Sequence, residues 1–218
     1  MGAVAHINDY KKGHFFSNAG RGDMSWNGYE NNVLLRNMGK DEDGVPRFAD
    51  VAMAMGAGDI HDSRGIAVLD FDHDGDLDIA VNRNPGELYR EEGVPPGLWR
   101  NNLGQDRHWA AISLEGTRVN RDAVGAMVEI RSGGSRQYAL VSAGGSYASQ
   151  HTHRLFFGLG TDQLMEQVKV TWPDGSEEVF ADLPANHWIR IKQGQDLEIR
   201  LLPGQMQEEM RTPSGGGL

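Results

Sequence analysis

The chain has 218 residues, a formal charge of −10 and no cysteine. Disulfides are therefore excluded, and an acidic chain of this kind is a poor partner for the phosphates of nucleic acid. Hydrophobic residues make up 39%, enough for a buried core, but no run approaches the ~18 apolar residues of a membrane-spanning helix.

Glycine numbers 29 of the 218 residues, about twice its usual share, which points to many tight turns between short strands. Residues 1–104 carry a net charge of −7 and residues 105–218 a net charge of −3. Five of the acids in the first part fall within residues 70–78, so the acidity is a local feature. Crowded carboxylates repel, and such a cluster calls for a bound cation. The opening Met1-Gly2-Ala3-Val4-Ala5-His6 has neither a basic stretch nor a continuous apolar one, so no signal peptide is visible in it.

In chain order, short β-rich runs bounded by Gly, Asn, Asp and Pro predict strands near Asn32–Asn37, Gly65–Asp70, Asp78–Asn82 and Glu87–Tyr89. Longer runs follow at Trp109–Leu114, Ala126–Arg131, Gln137–Ser142, Leu155–Gly158, Gln167–Thr171, Glu177–Phe180, Trp188–Ile191 and Leu197–Leu201. Asp162-Gln163-Leu164-Met165 reads as one helical turn, and no long amphipathic helix is evident. The expected fold is all-β: a calcium-binding β region over residues 1–104, an antiparallel β-sandwich or barrel over 105–203, and a polar, disordered tail over 204–218.

Asp70-Phe71-Asp72-His73-Asp74-Gly75-Asp76-Leu77-Asp78 is the sharpest chemical signal. A hard cation such as Ca²⁺ takes six to eight oxygens at about 2.3–2.6 Å from carboxylates, a carbonyl and water. Asp70, Asp72 and Asp74 stand at loop positions 1, 3 and 5, and Gly75 permits the sharp bend. Asp76 would offer its backbone carbonyl and Asp78 would close the loop. Ca²⁺ suits this oxygen-rich set better than Mg²⁺, which keeps more water. The twelfth position is Val81, and the flanks Ile66–Leu69 and Ile79–Val81 read as strands, so a metal-clipped β-hairpin is expected instead of a helix–loop–helix hand. His73 is expected to face solvent. Asp41-Glu42-Asp43-Gly44 imitates the start of such a loop but lacks further acids and reads as a polar turn; Asp59 and Asp62 could add oxygens from a neighbouring loop.

Other combinations are weaker. Asn120-Arg121-Asp122 could be a ligand-facing loop with Arg121 as an anion fork, or an Asn/Asp turn leading into a strand with Arg121 paired to a local acid. Ser149 and Gln150 join them as candidate ligand-binding residues. Ser146 or Ser149 with His151 or His153 has no nucleophile-elbow context, so no catalytic residue is assigned. His151 and His153 alternate on one strand face, where a transition-metal pair competes with plain exposed polar residues. Arg21-Gly22-Asp23 is a short adhesion-type tripeptide in a Gly-rich stretch. Trp26, Trp99, Trp109, Trp172 and Trp188 read mostly as packing residues, and Trp172-Pro173-Asp174-Gly175-Ser176 as a strand ending in a tight turn.

The acidic loop, together with Asn31–Gly39 and Arg47–Ala52, resembles the FG-GAP/VCBS-type calcium repeat of integrin-like β-propellers. The second half resembles the ASPIC/UnbV domain through Asn120–Ala126, Gly145–Gln150, Phe157–Gly160 and Val170–Gly175. That family includes cartilage-acidic-protein-like secreted proteins and UnbV-type proteins encoded with enediyne biosynthesis genes. The resemblance implies a secreted or periplasmic protein, or a cytoplasmic one for the UnbV type. Only one complete calcium loop is present, so a partial propeller-like hairpin is expected, not a closed ring. The sheet edges of such a hairpin need cover: the expectation is a shortened relative whose hairpins pack on the ASPIC/UnbV-like domain, the alternatives a fragment, an oligomer or a larger assembly. The function expected is a non-catalytic Ca²⁺-binding module for a protein or glycan partner; the alternative is an accessory or catalytic component of a biosynthetic pathway.

Overall fold

A computed structural model of the chain describes residues 30–84, 94–103 and 106–201. Among them there is no α-helix; thirteen strands form four sheets, none of them closed into a barrel. The all-β expectation holds. The predicted strand at Glu87–Tyr89, the Arg21-Gly22-Asp23 tripeptide, Trp26 and the tail from residue 204 lie outside the described residues.

The chain divides into two compact units that interleave in sequence. One takes the described residues up to Gly65 and those of Val81–Gly97; the other takes Ile66–Ala80 and the described residues from Leu98 onward.

The first unit holds a hairpin of β1 (Leu35–Lys40) and β2 (Pro46–Asp50), paired antiparallel. Its turn is the polar Asp41-Glu42-Asp43-Gly44 segment, as expected. Asp41 Oδ1 accepts the amides of Asp43 at 3.1 Å and Val45 at 2.9 Å, so the side chain closes the turn on itself. Asp59 and Asp62 are engaged locally. Arg83 Nε donates to Asp59 at 2.6 Å, His61 Nδ1 lies 2.5 Å from it, and Arg64 donates to Asp62 at 2.7 Å.

A three-stranded sheet has the order β3 (Asp62–Leu69), β4 (Asp78–Asn84), β5 (Gly97–Trp99). The aspartate loop is the connection from β3 to β4.

The second unit contains two four-stranded sheets. One has the order β11 (Glu177–Pro184), β10 (Leu164–Thr171), β7 (Met127–Ser132), β8 (Ser135–Leu140) and is antiparallel throughout. The other has the order β13 (Glu198–Arg200), β12 (Trp188–Lys192), β6 (His108–Glu115), β9 (Leu155–Gly160). Here β12 runs parallel to β6, Ile189 opposite Ile112, so this sheet is mixed. Alternation explains the packing: Val128 and Ile130 of β7, Val168 and Val170 of β10, Ile112 of β6 and Ile189 and Ile191 of β12 all enter one buried cluster. Two sheets over one shared core make a β-sandwich. β6 is buried on both faces, because Trp109 and Ala111 join Phe156 and Trp188 in a second cluster.

One local expectation changes. Asp162-Gln163-Leu164-Met165 is no helical turn: Leu164 starts β10, and Met165 is fully buried against the core. Burial of alternate residues beats the weak helical reading of four residues. The Trp172–Ser176 turn forms as expected, with Gly175 at φ 81° and Trp172 N bonded to Ser176 O at 2.8 Å.

Candidate metal centre

The loop between β3 and β4 carries the five aspartates, all of them in the second unit. Asp70, Asp72 and Asp78 each present a carboxylate oxygen within 4.8 Å of the others. Asp70 is buried at 8% exposure, and neither of its oxygens receives a hydrogen bond of good geometry. Asp72 Oδ1, Asp74 Oδ2 and Asp76 Oδ2 are likewise buried without a hydrogen-bond partner. Buried acceptors without a well-formed hydrogen bond are costly, which makes these oxygens the candidate donors of a cation site.

Burial pushes the Asp70 carboxyl above the ordinary value of 3.8; the His73 ring opposes this and Asp74 adds to it. Burial also raises Asp76, reinforced by the charges of Asp74, Asp78 and Asp72. This is the pattern of carboxylates held together against their repulsion.

Asp78 has a second task. Its Oδ2 accepts the Phe71 amide at 2.8 Å and its Oδ1 the Asn101 amide at 2.7 Å. It is fully buried, and it ties the end of the loop to its start and to the segment after β5. Asp74 Oδ1 accepts the Asp76 amide at 2.9 Å, which shapes the bend. Gly75 sits at φ 96°, and a Cβ there would overlap the Trp109 indole. Both facts require glycine. His73 departs from expectation: it is only partly exposed, its Nδ1 is buried, and its φ is 62°.

Two arginines that local sequence patterning overlooked flank the carboxylates. Arg100 Nε lies 2.5 Å from Asp72 Oδ2, and Arg100 Nη2 3.8 Å from Asp74 Oδ2. Arg154 lies near enough to Asp70 for their charges to interact. Nothing in sequence spacing signals either residue, because both come from segments distant in the chain.

The remaining candidates fall elsewhere. Arg121 and Asp122 are exposed in the turn before β7. Asn120 builds that turn, its side chain bonding both the N and the O of Val124. Ser149 Oγ donates to Ile66 O at 2.7 Å and accepts from Ile66 N at 3.2 Å. Gln150 bonds Gly144 N, Ser142 O and His151 O. His151 Nδ1 accepts the Val68 amide at 3.2 Å. These side chains hold a loop in place, and no hydrogen bond or ion pair among the described residues joins Arg121 or Asp122 to them. No helix among the described residues is long and apolar enough to cross a membrane.

Residues 116–198 match the family model described as ASPIC and UnbV. Cartilage acidic protein 1 of Homo sapiens is 35% identical over 112 residues, covering 51% of this chain and 16% of that relative. The Mus musculus protein of the same name gives the same identity and coverage. Its Xenopus tropicalis counterpart is 32% identical over 117 residues, covering 52% of this chain and 17% of the relative. The matching stretch thus spans about a sixth of those relatives' length.

Proposed function

We propose that the chain is a non-catalytic calcium-binding β module of the ASPIC/UnbV type, with one FG-GAP/VCBS-like loop that binds Ca²⁺ and loops that meet a protein or glycan partner. The observation that carries this reading is Asp70: a nine-tenths buried carboxylate, neither oxygen holding a well-formed hydrogen bond, converging with Asp72 and Asp78. Asp70, Asp72 and Asp78 would hold the ion, with Asp74 and Asp76 completing the acidic shell. A hard divalent cation would supply the charge that these oxygens lack. Its structural work is to fasten the ends of β3 and β4, the task that disulfides perform in other small β proteins. The all-oxygen donor set supports Ca²⁺ over a transition metal. The similarity to cartilage acidic protein 1, whose name speaks of acidity, is in keeping with it.

An ion bound only by the folded state stabilises it by mass action, about 2.7 kcal/mol at a hundredfold excess over Kd. The test is thermal unfolding of the full chain in excess Ca²⁺ and in chelator. Ca²⁺ should raise Tm by several degrees, and Asp72→Ala should remove that response. Superimposable melting curves with and without chelator would sink the reading.

A further inference from the structure

Five carboxylates crowd the loop, and two guanidinium groups stand beside them. Arg100 is a surface group, its side chain 54% exposed and ion-paired to Asp72. Arg154 differs in kind. Residues 149–152 run parallel alongside β3: Ser149 bonds Ile66, then His151 and Thr152 bond Val68. That register carries Arg154 toward the end of β3, where Asp70 opens the loop. Its guanidinium carbon lies 4.2 Å from the centroid of the Trp188 ring. Its Nε is buried without a hydrogen-bond partner, and it forms no ion pair with a carboxylate among the described residues. A partly buried cation, held by an aromatic face and by no direct bond to Asp70, acts on the loop through its charge alone.

Resting on the calcium reading above, we propose that Arg154 is a fixed internal counter-charge that sets the affinity of the aspartate loop for divalent cations. In the metal-free chain it offsets part of the repulsion around Asp70 and keeps the loop formed. Toward an incoming Ca²⁺ it is a like charge, poorly screened because it is partly buried, and it weakens binding. The five aspartates with Arg100 and Arg154 sum to −3, so a divalent ion leaves the centre near neutrality without saturating it. The loop therefore remains formed when empty and releases its ion readily, a device suited to reversible occupancy.

The test is calorimetric titration of the full chain with Ca²⁺. Arg154→Met keeps an unbranched apolar stem of similar reach and removes the charge. It should bind Ca²⁺ roughly tenfold more tightly than wild type and melt at a lower temperature in chelator. Arg154→Lys, which keeps the charge, should bind within about threefold of wild type and guards against a folding artefact in the methionine variant. Wild-type binding with equal or weaker binding by a folded Arg154→Met would overturn this inference and leave the calcium reading intact. Binding by the methionine variant alone would support it. No heat of binding in either would overturn both.

Discussion

Two glycines show how the same substitution separates two physical effects. Gly75 and Gly175 both sit at positive φ, 96° and 81°. Gly175 has open space where a Cβ would go, whereas Gly75 has the Trp109 indole there. Gly175→Ala should therefore cost about 1 kcal/mol from backbone strain alone. Gly75→Ala adds overpacking and should cost about 2–4 kcal/mol. Urea unfolding of the two variants checks the difference. Gln193 is a second lesson at this scale. It is 1% exposed, and its Oε1 accepts the amides of Thr117, Arg118 and Val119 while its Nε2 donates to Asp174 and Ser176. Gln193→Ala strands several donors at once, so a loss of about 2–4 kcal/mol is expected by the same measurement. Asp59 gives a pH dependence. Burial would raise its carboxyl, but hydrogen bonds from His61 and Arg83 outweigh that and hold it below 3.8. Its contribution is thus present above the ordinary value and is lost as pH falls through the lowered one. A Tm profile from pH 5 down to pH 2 should fall less steeply for Asp59→Asn than for wild type.

Strands were legible where burial alternates and illegible where it does not. Met127–Ser132 buries every second residue, and the sequence pattern finds it. β2 and β5 were missed: Pro46–Asp50 is almost wholly exposed and Gly97–Trp99 has only three residues, so neither offers a pattern to read. The parallel pairing of β12 with β6 was equally hidden, since the two strands lie far apart in the chain and the expected sheet was antiparallel. That pairing makes β6 an inner strand. Ile112, fully buried and opposite both Ile189 and Leu155, is the natural probe. Ile112→Ala should lose about 2–5 kcal/mol, and Val179→Ala on the exposed face of β11 less than 0.5 kcal/mol. Equal losses in chemical denaturation would contradict the assigned faces.

At the scale of the whole molecule, the two units differ in how they are held. The second has a continuous buried cluster between its sheets. The first exposes Leu35, Met38 and Phe48 on or beside its hairpin, at 59%, 58% and 56%, more apolar surface than a solvated hairpin needs. The native protein is expected to bind a hydrophobic fluorescent dye at neutral pH, with Phe48→Lys lowering the signal while leaving Tm nearly unchanged. An unaltered signal would place the dye elsewhere.

The sequence alone determined what is local. The alternation of the sandwich strands, the Trp172–Ser176 turn, the Asn120 turn and the aspartate loop all follow from a residue's near neighbours, because backbone hydrogen bonds, turn geometry and adjacent charges act over a few positions. Only the tertiary structure decided that Ile66–Ala80 folds with the residues after Leu98. It alone showed which distant backbone groups Ser149 and Gln150 bond, Ile66 for the one and Ser142 and Gly144 for the other. It alone brought Arg100 and Arg154 to the carboxylates, since burial and charge act through space, between residues that chain order keeps apart.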